Sequence, residues 1–153
     1  MSGGNRQISL KRRPVGVPTA EDFETSEAAI GTPRSGEVLL KNLYLSIDPA
    51  IRGWMSDAKS YLPPIEIGAP IRSGTLSQVI ESNADGWPVG QIVQALATWE
   101  SYSVVPHQSL HGKVKPVDGV PLPSMLSVLG GNGLTAYFGL LDVGQPKDGE
   151  TVL

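Results

Sequence analysis

Glycine and proline are scattered along this chain rather than gathered in one tract, and that punctuation constrains the fold more than any other feature. The 18 glycines and 13 prolines make up about a fifth of the 153 residues. Scattered in this way, they predict many turns between short strands instead of one flexible linker. The strongest strand signal runs from Glu37 to Asp48, bracketed by Gly36 and Pro49. Its odd positions Leu39, Leu43, Leu45 and Ile47 are expected to share one face. Shorter signals cover Gln7 to Lys11, Thr75 to Glu81, Gln91 to Ala97 and Glu100 to Val105, with Gly74, Asp85-Gly86, Pro88, Gly90 and Pro106 between them. Regular spacing of this kind predicts a β barrel or sandwich.

Beyond Pro123 the pattern changes. Ser124 is a capping candidate for a short helix through Leu129. Asn132 is the candidate cap of a second helix, which places Leu134, Tyr137 or Phe138, and Leu141 on one side. Gly144 is expected to supply the left-handed residue that ends this helix, and Pro146 prevents its resumption. The final residues Thr151-Val152-Leu153 read as the opening of a strand. A strand in that place ordinarily feeds a glycine-rich turn and a dinucleotide-binding unit. The expected organisation is therefore a β domain over residues 1–123, followed by linking helices and the start of a truncated nucleotide-binding domain over 124–153.

Composition excludes several function classes. A hydrophobic share of 40% provides for a real core, and a net charge of −3 disfavours nucleic acid as a partner. The one basic run, Lys11-Arg12-Arg13, reads as a solvated strand end rather than a phosphate patch. With no cysteine, disulfides and cysteine-ligated zinc are out of reach. His107 and His111 have helical metal-ligand spacing, but Pro106 and Gly112 bracket them, so surface histidines in a loop are expected. No apolar stretch approaches the roughly 20 residues that span a bilayer, and no signal-peptide core opens the chain. The expectation is a soluble, cytoplasmic protein without a membrane partner.

Three segments carry a resemblance: Asn42-Leu-Tyr-Leu-Ser-Ile-Asp-Pro-Ala-Ile-Arg-Gly-Trp-Met55, Val89-Gly-Gln-Ile-Val93, and Leu129-Gly-Gly-Asn-Gly-Leu-Thr-Ala-Tyr-Phe-Gly-Leu140. In this order they resemble the zinc-independent medium-chain dehydrogenase/reductases. Within that superfamily the likeness is to the leukotriene B4 dehydrogenase, prostaglandin reductase and alkenal double-bond reductase group. The resemblance implies a fold class that is mainly β: a GroES-like, partly open β-barrel with short helices, then the linking helix and first strand of a Rossmann domain. It implies NADPH as cofactor, held mainly by a domain outside these residues, a small enone or enal as substrate, and a homodimer formed through the other domain.

Read from the residues alone, Asp48 to Met55 is a turn stitched by an ion pair between Arg52 and a carboxylate such as Asp48. The resemblance instead makes Ala50, Arg52 and Trp54 a substrate-binding wall. Relatives often carry a tyrosine where this chain has Ala50, so no hydroxyl is offered from that position. Ser73-Gly-Thr-Leu-Ser77 stands where zinc alcohol dehydrogenases carry Gly-His-Glu, and a catalytic zinc is not expected. Gly130-Gly-Asn-Gly133 reads unaided as a plain helix connection. The resemblance makes Gly131, Asn132 and Thr135 nicotinamide contacts, at a helix start whose amides are unpaired. Trp99 and Tyr102 suit either core packing or an aromatic strand near the cleft.

No catalytic general acid stands out. The leading expectation is an NADPH-dependent reductase of conjugated carbon-carbon double bonds, inactive as this segment alone. A quinone oxidoreductase or a non-catalytic GroES-like binding module are the alternatives.

Overall fold

The computed structural model describes residues 4–152. They divide into two compact units, one through Lys115 and one from Pro116 onward. The first is mainly β, as the spacing of turn residues predicts. Strands β1 (Asn5–Leu10) and β2 (Phe23–Ala28) form an antiparallel pair. The strands β3 (Glu37–Leu45), β4 (Arg72–Ser82), β5 (Ile92–Thr98), β6 (Tyr102–Pro106) and β7 (Leu110–Val114) make an open sheet in the order β6-β3-β4-β5-β7. Neighbouring strands in it run antiparallel throughout. Bridges from Gln7 to Glu100 and from Ser9 to Pro70 tie β1 to this body.

The alternation expected of β3 breaks down in a definite way. Against β4 its register shifts between Leu39 and Leu40 and again between Asn42 and Tyr44. The first leaves Ile80 of β4 without an opposite residue, and the second leaves Leu43 of β3 without one, so a bulge falls on each strand. Val38, Leu39 and Leu40 are all buried, so both faces are covered at the start of β3, whereas Leu43, Tyr44, Leu45 and Ile47 all lie exposed. The strand also ends at Leu45, earlier than the sequence suggests. On its other side β3 pairs with β6 only through Lys41, opposite Tyr102.

Two apolar cores result. Val38, Leu40, Val79, Val93, Val105 and Leu110 pack inside the sheet. Leu10, Ile51, Trp54, Met55, Ile65 and Ile71 form a second cluster. Full burial of each such aliphatic side chain contributes about 1.5–3 kcal/mol relative to exposure.

Polar side chains, several of them buried and the rest half-buried, form a connected set as well. Asn42 Nδ2 donates to the carbonyls of Glu100 at 2.8 Å and Thr98 at 3.2 Å, and to Ser103 Oγ at 2.9 Å. Its Oδ1 accepts from Ser77 Oγ at 2.7 Å. The Glu100 carboxylate accepts from Asn5, Gln7, Ser103 and Thr98. These contacts join β1, β3, β5 and β6 at one place, and they satisfy groups that would otherwise be costly to enclose.

Two strands and one helix escape the sequence reading. Phe23-Glu-Thr-Ser-Glu-Ala28 is almost wholly exposed and has no apolar period; only its pairing with β1 makes it a strand. Strand β7 is short and interrupted by Gly112. The segment read as a turn after Asp48 is the helix α1 (Pro49–Trp54).

The second unit contains a 3-10 turn at Leu122–Leu126, the helix α2 (Gly131–Phe138) and a π-helical turn at Gly139–Gly144. Its caps differ from those expected. Pro121 rather than Ser124 precedes the first turn, and Gly130 rather than Asn132 caps α2. The left-handed residue that ends the helical run is Gln145, with φ of 48°, not Gly144. Leu134, Tyr137, Phe138 and Leu141 are all exposed. Of the expected final strand, Thr151 and Val152 carry no strand pairing, and Leu153 lies outside the described residues.

Candidate functional site

Helix α1 begins because Asp48 holds an extended backbone (φ −105°, ψ 147°) and Pro49 supplies a preset φ in the first turn. The Asp48 carboxylate does not pair with Arg52. It accepts from Ser46 Oγ at 2.6 Å, which steadies the approach to the helix. Ile51, Trp54 and Met55 point into the second core. Ala50 is half-buried against the same cluster and presents only a methyl group.

Arg52 turns the other way. Its Nε donates to the Gly16 carbonyl and its Nη2 to the Pro14 carbonyl, both at 2.9 Å. The guanidinium fork thereby fastens the loop after β1 onto α1. A neighbouring clamp repeats the logic, since Arg13 donates to the carbonyls of Met55 and Ile65 and pairs with Asp57 at 2.7 Å. Trp54 is 7% exposed, lies beneath the Arg72 guanidinium at 5.4 Å, and meets Tyr61 edge-on. It acts on any neighbouring cleft by packing.

Trp99 forms a second wall. Its ring stacks with Phe23 at 6.0 Å between centroids and 26° between planes. Its backbone is held on both sides: the Ile8 amide donates to its carbonyl, and its own amide donates to Ile71. The next residue, Glu100, is the centre of the half-buried polar network. Tyr102 contributes through its backbone, exchanging two hydrogen bonds with the Asn5 side chain at 2.8 and 2.9 Å. Sequence reasoning missed Phe23, Met55, Asn42 and Glu100. Met55 and Glu100 adjoin residues that the sequence had marked, Trp54 and Trp99.

In the second unit, the glycines of the 130–133 turn have separate duties. A Cβ on Gly130 would stand 2.3 Å from the Met125 carbonyl oxygen, and one on Gly133 would stand 1.7 Å from that of Val128. Both glycines are needed for the chain's close approach to itself. Gly131 is different, because a Cβ there would meet nothing within 4 Å. Gly131, Asn132 and Thr135 are exposed at the start of α2. Thr135 Oγ1 donates to the Gly131 carbonyl at 2.8 Å, so its remaining lone pairs can accept from a ligand. Open space over Gly131, an outward hydroxyl oxygen and a helix start suit the carboxamide side of a nicotinamide ring. The expected substrate-side residues Ala50, Arg52 and Trp54 belong to the first unit, and these three belong to the second.

The two arginines of the basic run are paired internally. Arg12 pairs with Asp22 at 2.7 Å and with Glu21 at 3.0 Å. Asp22 is held below the usual carboxylate range, first by the backbone N–H of Thr19 and then by the Arg12 guanidinium, whose own pKa is raised by the same partners. His107 sits in a 3-10 turn and His111 in β7, so the two do not share a helix face. Among the described residues no group of three or more metal-ligating side chains comes together. No helix there is long and apolar enough to cross a membrane.

Residues 6–112 match the family model described as the N-terminal domain of oxidoreductase. Over 97% of its length the chain is 45% identical to the NADPH-dependent curcumin reductase of Escherichia coli (strain K12), covering 43% of that protein. It is 37% identical to prostaglandin reductase 1 of Bos taurus, over 95% of this chain and 42% of that one. Among solved structures, CurA of Vibrio vulnificus in complex with NADPH superimposes with a TM-score of 0.80 at 44% identity, covering 95% of this chain and 42% of that one. The chain thus spans less than half the length of these relatives. A match over most of β1 to β7, joined to this identity, shows that the chain belongs to the oxidoreductase N-terminal domains of the zinc-independent medium-chain dehydrogenase/reductase group.

Proposed function

We propose that the chain is the substrate-side part of an NADPH-dependent reductase of carbon-carbon double bonds conjugated to a carbonyl. The carrying observation is the 45% identity to a curcumin reductase over nearly the whole chain. A 38% identity to a tobacco 2-alkenal reductase points to the same chemistry. In this reading residues 1–123 form the substrate domain. Residues 124–153 lead into a nucleotide-holding domain supplied by further chain.

When bound, the nicotinamide supplies a hydride to the β-carbon of the enone or enal, and a proton then reaches the α-carbon. This chain's own residues do the positioning, which is where much of the rate arises in cofactor enzymes. Gly131 would leave room for the ring, while the Asn132 segment and Thr135 Oγ1 would hold its carboxamide. Ala50 leaves the substrate wall open, with Trp54 packed behind it and Arg52 holding the loop that flanks it. No side chain of this segment acts as general acid, and the segment alone does not turn over.

The experiment is an NADPH-consumption assay of the complete protein on a panel of enals, enones and quinones, with and without a zinc chelator. Oxidation of NADPH by enones, unaffected by the chelator, is expected. Turnover confined to quinones would overturn the assignment. In calorimetry of this 153-residue chain with NADPH, binding weaker than about 1 mM is expected, since the phosphate-cradling turn of a dinucleotide fold lies elsewhere.

A further inference from the structure

Asn132 is followed directly by Gly133, and no other asparagine of the chain precedes a glycine. We propose that Asn132 is a site of spontaneous deamidation, a self-modification that places a carboxylate at the start of α2. The modification stands on the chemistry and geometry of this turn. Its consequence for cofactor binding rests on the nicotinamide reading.

The reaction needs only water and a solvent base. The Gly133 backbone nitrogen attacks Asn132 Cγ and closes a five-membered succinimide. The Cγ–Nδ2 bond breaks, its electrons leave with Nδ2, and the proton given up by the Gly133 amide is returned through solvent to make ammonia. Water then opens the ring. Opening at Cγ gives aspartate, and opening at the backbone carbonyl gives isoaspartate, which carries an extra methylene in the main chain. Water is consumed, ammonia is released, and nothing is oxidised or reduced.

An unshielded nucleophile is the first requirement, and glycine supplies it. Asn5, Asn42 and Asn83 are followed by Arg6, Leu43 and Ala84, whose side chains crowd the attacking nitrogen. A free side-chain amide is the second. Asn5 Nδ2 donates to Glu100 and to the Tyr102 carbonyl, Asn42 Nδ2 to two carbonyls and Ser103, and Asn83 Nδ2 to the Pro33 carbonyl. Asn132 is exposed, and its side chain makes no hydrogen bond among the described residues.

A backbone able to leave the helix is the third. Helical ψ turns the Gly133 nitrogen away from Cγ, so ring closure passes through an opened first turn. Helices in proteins are held mostly by packing of one face, and neither α2 nor the π-helical turn after it buries a residue. Gly131 and Gly133 weaken the first turn further. Opening releases the bonds from the Gly133 amide to the Ser127 carbonyl at 3.1 Å and from the Leu134 amide to the Gly130 carbonyl at 3.0 Å. The helix dipole favours a carboxylate in this turn, so the aspartate product closes it again, whereas isoaspartate breaks it.

The test incubates the 153-residue chain in mildly alkaline buffer and follows its peptides by mass. Mass is the readout because Asp85, Asp118 and Asp148 also precede glycine, and their isomerisation leaves mass unchanged. Asn132 should convert at a rate that rises with hydroxide, while Asn5, Asn42 and Asn83 stay intact. Isoaspartyl methyltransferase should label the product peptide. Gly131→Ala, which firms the first turn, should slow conversion several-fold. Asn132 intact when a short peptide of residues 129–137 has fully converted would overturn the proposal. Equal conversion of Asn83, or a rate unchanged in Gly131→Ala, would do the same. A second arm uses the complete protein, in which NADPH should slow conversion several-fold and Asn132→Asp should weaken NADPH binding several-fold. Absence of conversion there even without NADPH would also overturn the proposal. Conversion that NADPH does not slow would remove Asn132 from the cofactor contact and leave the modification site standing.

Discussion

The Arg52 guanidinium donates to the Pro14 carbonyl at 2.9 Å across 38 residues of sequence. With its second bond to Gly16, this contact makes a surface arginine the fastener between a loop and the short helix α1. A planar fork can serve two carbonyls at once, whereas an ammonium is a single point charge.

Arg52→Ala is therefore expected to destabilise the fold by about 1–2 kcal/mol, the low side of hydrogen bonds made by charged groups, because these contacts are partly exposed. Arg52→Lys should recover less than half of the loss. Urea unfolding measures the stability. Hydrogen exchange at Val15, Gly16 and Val17 should accelerate in both variants, and unchanged exchange there would remove the fastening role.

Glu100 gathers four donors onto one carboxylate. In Glu100→Gln one acceptor oxygen becomes an NH2 group that faces donors, so isosteric replacement should cost about 1–3 kcal/mol. Asn42→Ala should cost a similar amount, because it strips partners from Ser77, Ser103 and two carbonyls. The two sites share one network, so the double variant should lose less than the sum of the single losses. Denaturant curves on the three variants decide this; strict additivity would mean two independent sites.

Asp22 has a depressed pKa in the folded state. Its contribution to stability is thus fully present above the unfolded carboxylate pKa of about 3.9. It is lost as pH falls from there through the lower folded value. Melting temperatures taken from pH 6 down to pH 2 should fall more steeply in the parent chain than in Asp22→Asn. Parallel slopes would show that the Thr19 and Arg12 contacts do not bias the carboxylate.

Three alanine substitutions should separate the glycines of the 130–133 turn. Gly131→Ala meets open space and should be neutral or slightly favourable for the helix. Gly130→Ala and Gly133→Ala place a methyl against the carbonyls of Met125 and Val128 and should displace the start of α2. Amide chemical shifts from Leu134 to Phe138 provide the readout. If Gly131→Ala were as disruptive as Gly133→Ala, the close approach would not be the reason for these glycines.

The sequence by itself determined the class of structure. Turn residues at short intervals marked where strands stop, and Pro146 barred the helical run from continuing. The linear pattern also carried the family resemblance, because that depends on ordered segments such as Asn42 to Met55. Tertiary structure alone decided which faces are buried and which partners the charged groups take. Leu43 and Leu45 lie exposed together with Tyr44, because β3 bulges there and its pairing with β6 stops at Lys41, an effect invisible to a period-two count. Strand β2 exists through pairing with β1, since its exposed polar residues have no periodicity to read. Arg52 left its close neighbour Asp48 for carbonyls far along the chain, as local spacing cannot register a loop folding back. A small pocket beside α1 has the same origin: Pro18, Phe23, Ile51 and Trp99 are separated in sequence, and only chain folding brings them around one space.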